Sequence, residues 1–217
     1  MRILITAGPT REPLDPVRFL SNRSSGKMGY ALTEAALEFG HDVTLISGPV
    51  ALTPPLKART LRITTSDELY DVVHAQVHDC DLLVMCAAVS DYKPISTAAQ
   101  KMAKQTGEFA LRLTPTRDIL ASLPRANRSY FVVGFAAETH NLAASAQKKL
   151  IAKNCDAIVA NDVSGKEIGM ESNDNAVTIF FRDGETKSIS RAPKKNLACE
   201  ILKIIFDARE KSLTKKP

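Results

Sequence analysis

Residues 1–29, MRILITAGPTREPLDPVRFLSNRSSGKMG, decide the fold. The stretch opens with Arg2 to Thr6, a short apolar and β-branched run that predicts a buried β-strand. A loop rich in Gly, Pro, Ser and Arg follows. From Lys27 to Phe39 the apolar residues recur at helical spacing, and Gly40 is a natural helix stop. A strand, a polar loop and a helix in this order predict the first unit of a parallel α/β sheet.

Strand-like and helix-like segments alternate through most of the remaining chain, which predicts a Rossmann-like α/β fold with a mostly parallel sheet and helices on both faces. Two further strands around an Asp-Gly turn predict a β-hairpin, followed by a final amphipathic helix. The predicted strands are Asp42 to Ser47, Leu61 to Thr64, Asp81 to Cys86, Tyr130 to Phe135, Ala157 to Ala160, Ala176 to Phe181 and Thr186 to Ser190; the predicted helices begin at a Ser66 cap, span Asn141 to Lys153, and span Lys194 to Arg209.

The 217 residues favour one domain, which we place at residues 1–210 with a flexible tail at 211–217. Between Ser90 and Arg117 the sequence becomes polar and carries only a weak strand signal around Phe109 to Leu113. A loop this long inside a compact domain is usually functional, so we expect a flap over about residues 92–116. A disordered insertion remains the alternative.

Composition excludes several classes of protein. The formal net charge of +5 is modest, and its densest contribution is the C-terminal tail; aromatic residues make up 6% and are not interleaved with Lys and Arg, so no nucleic-acid partner is expected. No apolar run approaches the roughly 20 residues that span a bilayer, and the first apolar stretch is too short for a signal peptide, so we expect a cytoplasmic protein without a membrane partner. The cysteines form no CxxC pair and are expected to pack in the core, with no disulfide or protein-held metal site: Cys80, Cys86, Cys155 and Cys199.

The loops that follow predicted strands carry the candidate site, because ligands of an open parallel sheet bind at the carboxyl ends of its strands. Ser24-Ser25-Gly26 precedes a helix and predicts an anion site, although a helix start without a ligand would show the same pattern. Ala87-Ala88 lets a flat group approach closely. Asp91 suits either ribose hydroxyls or a turn, and Phe135 suits either base stacking or the core.

Two familiar nucleotide motifs fail in detail. The GxGxxG fingerprint is absent, and the second strand ends in Ser47-Gly48 without the acidic residue that holds an NAD ribose. Gly26-Lys27 is followed by Met28, so the Walker pattern is absent too. An NAD(P) oxidoreductase is therefore disfavoured, and a nucleotide-binding regulatory module without catalysis remains an alternative.

Four segments together resemble a known family: GPTREPLDPVRFLSNRSSGKMG from Gly8, AAVSDYKP from Ala87, GFAAET from Gly134 and ANDVS from Ala160. They look like the bacterial phosphopantothenoylcysteine synthetases (phosphopantothenate–cysteine ligases) of coenzyme A biosynthesis. Many members follow a flavin-dependent decarboxylase in one bifunctional chain, whereas this sequence begins at the synthetase's first strand, which implies a free-standing synthetase. Whether a separate decarboxylase associates with it stays open.

The resemblance implies a reaction. Bacterial members use CTP and Mg²⁺ to convert 4′-phosphopantothenate into an acyl-cytidylate with release of pyrophosphate, and the amine of L-cysteine then displaces CMP. They are commonly homodimers. Related synthetases use ATP, and no single residue here decides between the two nucleotides, although the long first segment favours the CTP-using class.

The resemblance also implies site residues. Asn22, Lys101 and Arg18 match the catalytic positions, with Lys101 the first lysine of a flap motif in which Ala103 replaces an expected lysine. A second departure is Thr116-Arg117, where many members have Asn-Pro; it leaves the backbone contact near Asp118 open. The nucleotide-contacting positions that it implies are Ala87, Ala88, Asp91, Asp118, Phe135, Lys149 and Lys153, and the anion-site pattern adds Ser24, Ser25 and Gly26.

Overall fold

The computed structural model describes residues 1–104, 106–138, 141–162 and 172–214. Twelve strands and five α-helices lie within these residues, with a short 3₁₀ turn at Val77–Asp79. The strands are β1 Arg2–Ala7, β2 Arg11–Pro13, β3 Phe19–Ser21, β4 Asp42–Ser47, β5 Arg59–Arg62, β6 Leu82–Met85, β7 Tyr92–Pro94, β8 Leu113–Pro115, β9 Phe131–Glu138, β10 Ala157–Asp162, β11 Asp174–Phe181 and β12 Thr186–Pro193. The helices are α1 Lys27–Glu38, α2 Ser66–Gln76, α3 Ile119–Ser122, α4 Leu142–Ala152 and α5 Lys194–Thr214.

The main sheet has eight strands in the order β12-β11-β10-β9-β6-β1-β4-β5. The pairs from β5 to β10 are all parallel, and the β11–β12 hairpin is joined to β10 in antiparallel register. The chain builds outward from β1 through β4 and β5, and then returns to the other side of β1 with β6. Strand order therefore reverses between β1 and β6, and the predicted Rossmann-like fold with its C-terminal hairpin and helix is confirmed.

Helices cover both faces of the sheet because its central strands are apolar on both sides. Successive residues of β1 point to opposite faces: Ile5 joins the core cluster formed with α1 and α5, and Leu4 joins the cluster formed with α2 and α4. Both side chains are almost fully buried. The continuous apolar runs in the sequence are thus the strands that are covered twice.

The predicted cap of the second helix is wrong by one residue. Thr65 caps α2: its hydroxyl accepts from the backbone N–H of Glu68 at 3.2 Å, and the Glu68 carboxylate accepts from the Thr65 N–H at 3.3 Å. This reciprocal pair satisfies two helix-end donors at once, which a cap at Ser66 could not do with Glu68 only two residues away. Ser66 is instead the first helical residue, and its backbone N–H donates to the buried Glu12 at 3.0 Å.

The last helix is longer than predicted. Helix α5 continues to Thr214, five residues beyond the end expected at Arg209, while residues 215–217 lie outside the described part of the chain. Arg209 holds this end of the helix against the sheet, because its Nε donates to the backbone carbonyl of Asp81 at 3.1 Å.

Two small antiparallel ribbons, β2–β3 and β7–β8, stand apart from the main sheet. A three-residue strand has no recognisable period, so the weak strand signal around Phe109 to Leu113 was the one indication of either ribbon in the sequence. In the second ribbon Tyr92 pairs with Pro115 and Pro94 with Leu113. The strand expected near Phe109 to Leu113 therefore begins only at Leu113. The ribbon closes the base of the expected flap (residues 92–116, the flap hereafter).

Candidate functional site

A cavity of about 600 Å³ opens at the carboxyl ends of β1, β6 and β9, where the strand order reverses. Loops that follow these three strands form its walls, as the sequence predicts for an open parallel sheet. Ten of the thirteen predicted site residues line it: Asn22, Ser24, Gly26, Ala87, Ala88, Asp91, Asp118, Phe135, Lys149 and Lys153. Ser25, Arg18 and Lys101 are not among the lining residues.

Hydrogen bonds join the end of β1 and the loop after it to the loop after β6. The buried hydroxyl of Thr6 accepts from the N–H groups of Cys86 at 3.1 Å and Ala87 at 3.0 Å. One residue on, the N–H of Ala88 donates to the carbonyl of Gly8 at 2.9 Å. These bonds fix the strand-end alanines, whose small side chains leave the cavity wall open to a ligand.

Asn22 belongs to the same network. Its side-chain Nδ2 donates to the carbonyl of Ala88 at 3.1 Å, and the same carbonyl accepts from the N–H of Thr10 at 3.1 Å. The hydroxyl of Ser21 donates to the Thr10 carbonyl at 2.7 Å. The predicted catalytic Asn22 is therefore oriented against the alanine motif that lies 66 residues away in sequence.

The N-terminus of α1 faces the cavity. Gly26 is its cap residue in a left-handed conformation (φ 77°), and the first turn contains no acidic side chain. The backbone N–H groups of the first turn and the helix dipole give this end a positive potential that suits an anion. Ser24 and Gly26 line the cavity, and Ser25 lies half-buried between them in sequence.

On the opposite wall, Lys149 of α4 and Lys153, the C-terminal cap residue of α4, both line the cavity together with Asp118. The Asp118 side chain caps α3 by accepting from the N–H of Ala121 at 3.1 Å, and its other oxygen forms an ion pair with the Lys153 ammonium. Asp91 is exposed at the rim and Phe135 is half-buried, so Phe135 contributes to both the core and the cavity wall. This wall thus combines cationic, anionic and aromatic groups.

Sequence reasoning missed a further polar group of the cavity: Lys27, Asn161, Asn175 and Lys194. Lys194 is 6% exposed, and its ammonium donates to the carbonyl of Ser172 at 2.6 Å. Burial lowers the pKa of Lys194, and the neighbouring Lys27 lowers it further. The sequence signal for Lys194 was its position at the start of a predicted helix, because the helix dipole makes that end unfavourable for a cation.

Arg18 and Lys101 lie on the flap side of the site. The Arg18 side chain forms an ion pair with Asp15 at 2.6 Å and donates to the carbonyl of Met102 at 2.5 Å, next to the exposed Lys101. Burial opposes ionisation of Asp15, but hydrogen bonds from the backbone N–H groups of Val17, Arg18 and Met102 outweigh it and hold its pKa far below the ordinary range.

The base of the flap is anchored to α2 by charge. Asp67 accepts from Lys93, on β7, and from Arg117 at 3.2 Å, just after β8. Arg117 also pairs with Asp71 at 3.0 Å, and its guanidinium carbon lies 3.8 Å from the centre of the Tyr70 ring. The pKa of Asp67 is lowered, chiefly by the hydrogen bond from Lys93. Arg117 thus provides, through its side chain, an attachment that a proline at this position could not make.

Within the described ranges, no three His, Cys, Asp or Glu side chains come together as a metal site. None of the described helices has the length and hydropathy needed to cross a bilayer. Three residues of the quoted segments, Thr139, Val163 and Ser164, fall outside the described part of the chain.

A doubly wound sheet with a helix N-terminus, lysines and small strand-end residues around a switch-point cavity is the arrangement in which open α/β domains bind nucleotides or phosphates. The family model of the DNA/pantothenate metabolism flavoprotein C-terminal domain matches residues 1–208. The chain belongs to this family, and the resemblance inferred from the four segments is confirmed.

Relatives and solved structures agree with this assignment. The chain is 46% identical over 206 residues to the coenzyme A biosynthesis bifunctional protein CoaBC of Vibrio vulnificus, covering 94% of this chain and 51% of that protein. The CoaBC protein of Bacillus subtilis is 44% identical over 204 residues, covering 94% and 50%. A crystal structure of the C-terminal domain of CoaBC superposes with a TM-score of 0.82 at 40% identity, covering 97% of this chain and 98% of that domain. The chain therefore spans about half the length of the CoaBC relatives and corresponds to their C-terminal half.

Proposed function

We propose that the chain is a CTP-dependent phosphopantothenate–cysteine ligase, which joins 4′-phosphopantothenate to L-cysteine through an acyl-cytidylate. One observation carries the proposal: a single cavity at the switch point brings the Asn22 loop, the Ala87-Ala88 strand end and the lysines of α4 together. Membership of the family and the CoaBC relatives support it.

The first half-reaction activates the acid. A carboxylate oxygen of 4′-phosphopantothenate attacks the α-phosphorus of CTP, a P–O bond forms, and the bond to pyrophosphate breaks with its electrons leaving on pyrophosphate. The enzyme's contribution is positioning and charge stabilisation, since a carboxylate has to meet the triphosphate of CTP in one cavity although both are anionic. The α1 N-terminus, Lys149 and Lys153 lie on its walls and offset that charge.

In the second half-reaction the amine of L-cysteine attacks the acyl carbon and CMP leaves with the electrons of the acyl–oxygen bond, while the amine gives up a proton. Asn22 suits the developing oxyanion because its amide has two N–H donors. One of them bonds the Ala88 carbonyl at 3.1 Å and fixes the plane of the amide, so the second can be directed at the intermediate.

The nucleotide fits the opposite wall. Asp91 would accept from ribose hydroxyls, Phe135 would contact the base, and Lys149 and Lys153 would contact the base or its phosphates. Lys153 is paired with Asp118, so nucleotide binding would exchange or share this partner. The choice of CTP rests on the resemblance of the first segment.

Mg²⁺ would accompany the triphosphate. This ion is usually held by one or two carboxylates together with substrate phosphates, and Asp91 and Asp118 line the cavity, so the residues present fit that mode. When bound it would supply charge neutralisation on the phosphates.

We also propose that residues 1–210 form one domain and that the chain is a homodimer. Light scattering after gel filtration measures the oligomeric state.

The test is pyrophosphate release by the purified protein with Mg²⁺, 4′-phosphopantothenate and either CTP or ATP, with and without L-cysteine. Release with CTP that requires 4′-phosphopantothenate, followed by CMP release when L-cysteine is added, is the expected result. Release with ATP but not with CTP would still support a ligase, but one whose base pocket binds adenine.

A matched pair of variants adds specificity. Lys101→Gln is expected to lower turnover by about 100-fold or more without unfolding the chain. Glu38→Gln removes an acid from an exposed ion pair with Lys195 at 3.1 Å, neither residue of which lines the cavity, and should leave turnover unchanged. Saturable CTP binding without any pyrophosphate release would instead identify a non-catalytic nucleotide-binding module.

A further inference from the structure

Asp15 is a buried carboxylate that touches the flap without lining the cavity. Its side chain is fully shielded from solvent, and it lies in the loop between β2 and β3. One oxygen, Oδ1, accepts from the N–H groups of Val17 and Arg18 at 2.8 Å each, which fixes the turn of its own loop. The other oxygen, Oδ2, accepts from the N–H of Met102 at 3.1 Å, 87 residues further along the chain.

Arg18 completes a two-point clamp on the same flap residue. Its Nε donates to Asp15 Oδ2 at 2.9 Å, and its Nη2 donates to the carbonyl of Met102 at 2.5 Å. Met102 is therefore held by both its N–H and its C=O. Hydrogen bonds with a charged partner are roughly twice as strong as neutral ones, and this clamp contains both a carboxylate acceptor and a guanidinium donor.

Two neighbouring contacts attach the same stretch of flap to the same loop. The N–H of Ala98 donates to the carbonyl of Leu14 at 2.9 Å, and the hydroxyl of Thr97 donates to the carbonyl of Pro13 at 3.0 Å. Residues 97–102 therefore rest on residues 13–18 through a row of hydrogen bonds, although most of the flap side chains are exposed.

The clamp lies between two predicted catalytic residues. Lys101 precedes Met102 directly, and Asn22 follows β3 at the end of the clamping loop, where it bonds the Ala88 carbonyl. A lysine on an exposed loop samples many positions, and fixing the neighbouring peptide removes most of that freedom. Effective concentration at a reacting phosphate depends steeply on such positioning.

We propose that Asp15 is a positioning residue that acts through Arg18 and Met102 to hold the flap lysine Lys101 in register with Asn22. The inference rests on the proposed ligase function for the role of Lys101, while the clamp itself is a feature of the fold. In this proposal the role of Arg18 is to hold the flap backbone through its guanidinium group.

The first experiment measures the clamp without using activity. Hydrogen–deuterium exchange of the peptide covering residues 97–104 is compared in the unmodified chain, Asp15→Asn, Arg18→Gln and the control Glu38→Gln. Asp15→Asn places an amide donor against the Met102 N–H, so exchange in this peptide should accelerate by about tenfold or more, as expected when a protecting hydrogen bond is lost. Arg18→Gln keeps the turn bonds to Asp15 Oδ1, so it tests the clamp even if Asp15→Asn folds poorly.

The second experiment asks whether the clamp acts through Lys101. Asp15→Asn should lower kcat by about 10- to 100-fold with KM for CTP changed by less than about threefold, since misplacement costs the transition state more than the ground state. In a Lys101→Gln background the same change should cost less than about threefold, because the group being positioned is already gone.

Three results would overturn the proposal. Unchanged exchange at residues 97–104 in both clamp variants would show that Asp15 does not hold the flap. Faster exchange with normal kcat would show that the clamp does not matter for Lys101. Losses that multiply in the double variant would show that Asp15 acts independently of Lys101. Failure of the ligase proposal is recognised separately, because the unmodified chain would then release no pyrophosphate; it removes the role of Lys101 and leaves the exchange result standing.

Discussion

Gly29→Ala tests whether close packing of α1 on β1 sets the geometry of the cavity. A Cβ added at Gly29 would lie 2.5 Å from the Cβ of Ala7, 3.0 Å from its Cα and 3.1 Å from the carbonyl oxygen of Thr6. Carbon atoms in contact prefer about 3.5–4.0 Å, so the helix would have to move outward by about 1 Å. The obstacle is largely backbone and a short side chain, neither of which can rotate away.

Two opposing contributions set the magnitude. Overpacking of this kind costs about 1–3 kcal/mol, while Ala in place of Gly inside a helix contributes about 0.8–1 kcal/mol of stability. Because β1 is covered on both faces and cannot yield, we expect the upper part of the range, a net loss of about 1–2 kcal/mol. For a chain of this length that lowers Tm by about 2–8 °C.

Urea unfolding followed by circular dichroism measures this loss. Glu34→Ala, at an exposed position of the same helix, is the control and should change the free energy of unfolding by less than about 0.5 kcal/mol. The displaced helix start should also weaken CTP binding, since Gly26 lies on the cavity wall. A Gly29→Ala chain as stable as the unmodified one, with normal CTP binding, would refute the argument that this contact fixes α1.

Three further predictions concern single side chains. Arg117→Ala should lower the free energy of unfolding by about 1–2 kcal/mol at neutral pH, because two partly exposed ion pairs and a ring contact are lost. Because the pKa of Asp67 is lowered, its contribution is present above the ordinary carboxyl pKa of 3.8 and is lost as the pH falls through the lowered value. In an acid titration the variant should therefore lose less stability below about pH 4 than the unmodified chain, and the same loss in both chains would contradict this. Cys86→Ser should keep activity within a few-fold. In the unmodified chain the Cys86 thiol should resist iodoacetamide at pH 8, because burial raises its pKa to about 12; rapid labelling at Cys86, distinguished by mass spectrometry from labelling at the partly exposed Cys199, would contradict this. Asn22→Asp should slow the conversion of the acyl-cytidylate and L-cysteine to product and CMP by about 100-fold, since a carboxylate replaces the amide donor beside the developing oxyanion, and normal kinetics would remove Asn22 from the site.

The sequence determined the fold class and the place of the site. Continuous apolar strands alternating with amphipathic helices leave few topologies, and β1 from Arg2 to Ala7 lies almost where its apolar run predicted. Parallel strands bring their carboxyl ends to one edge, so the sequence alone groups Ala87, Asp91 and Phe135, and all three line the cavity. The local pattern is sufficient here because strands that alternate with helices run parallel, and parallel strands end at the same edge of the sheet.

Only the tertiary structure decided the rest. Lys194 lines the cavity because the C-terminal hairpin returns the chain to β10, and no local pattern encodes that approach. The contact between Asp15 and Met102 spans 87 residues and joins a three-residue ribbon to an irregular flap, neither of which has a period to detect. Such contacts depend on the placement of backbone donors and acceptors in space, which alternation of polar and apolar residues does not specify.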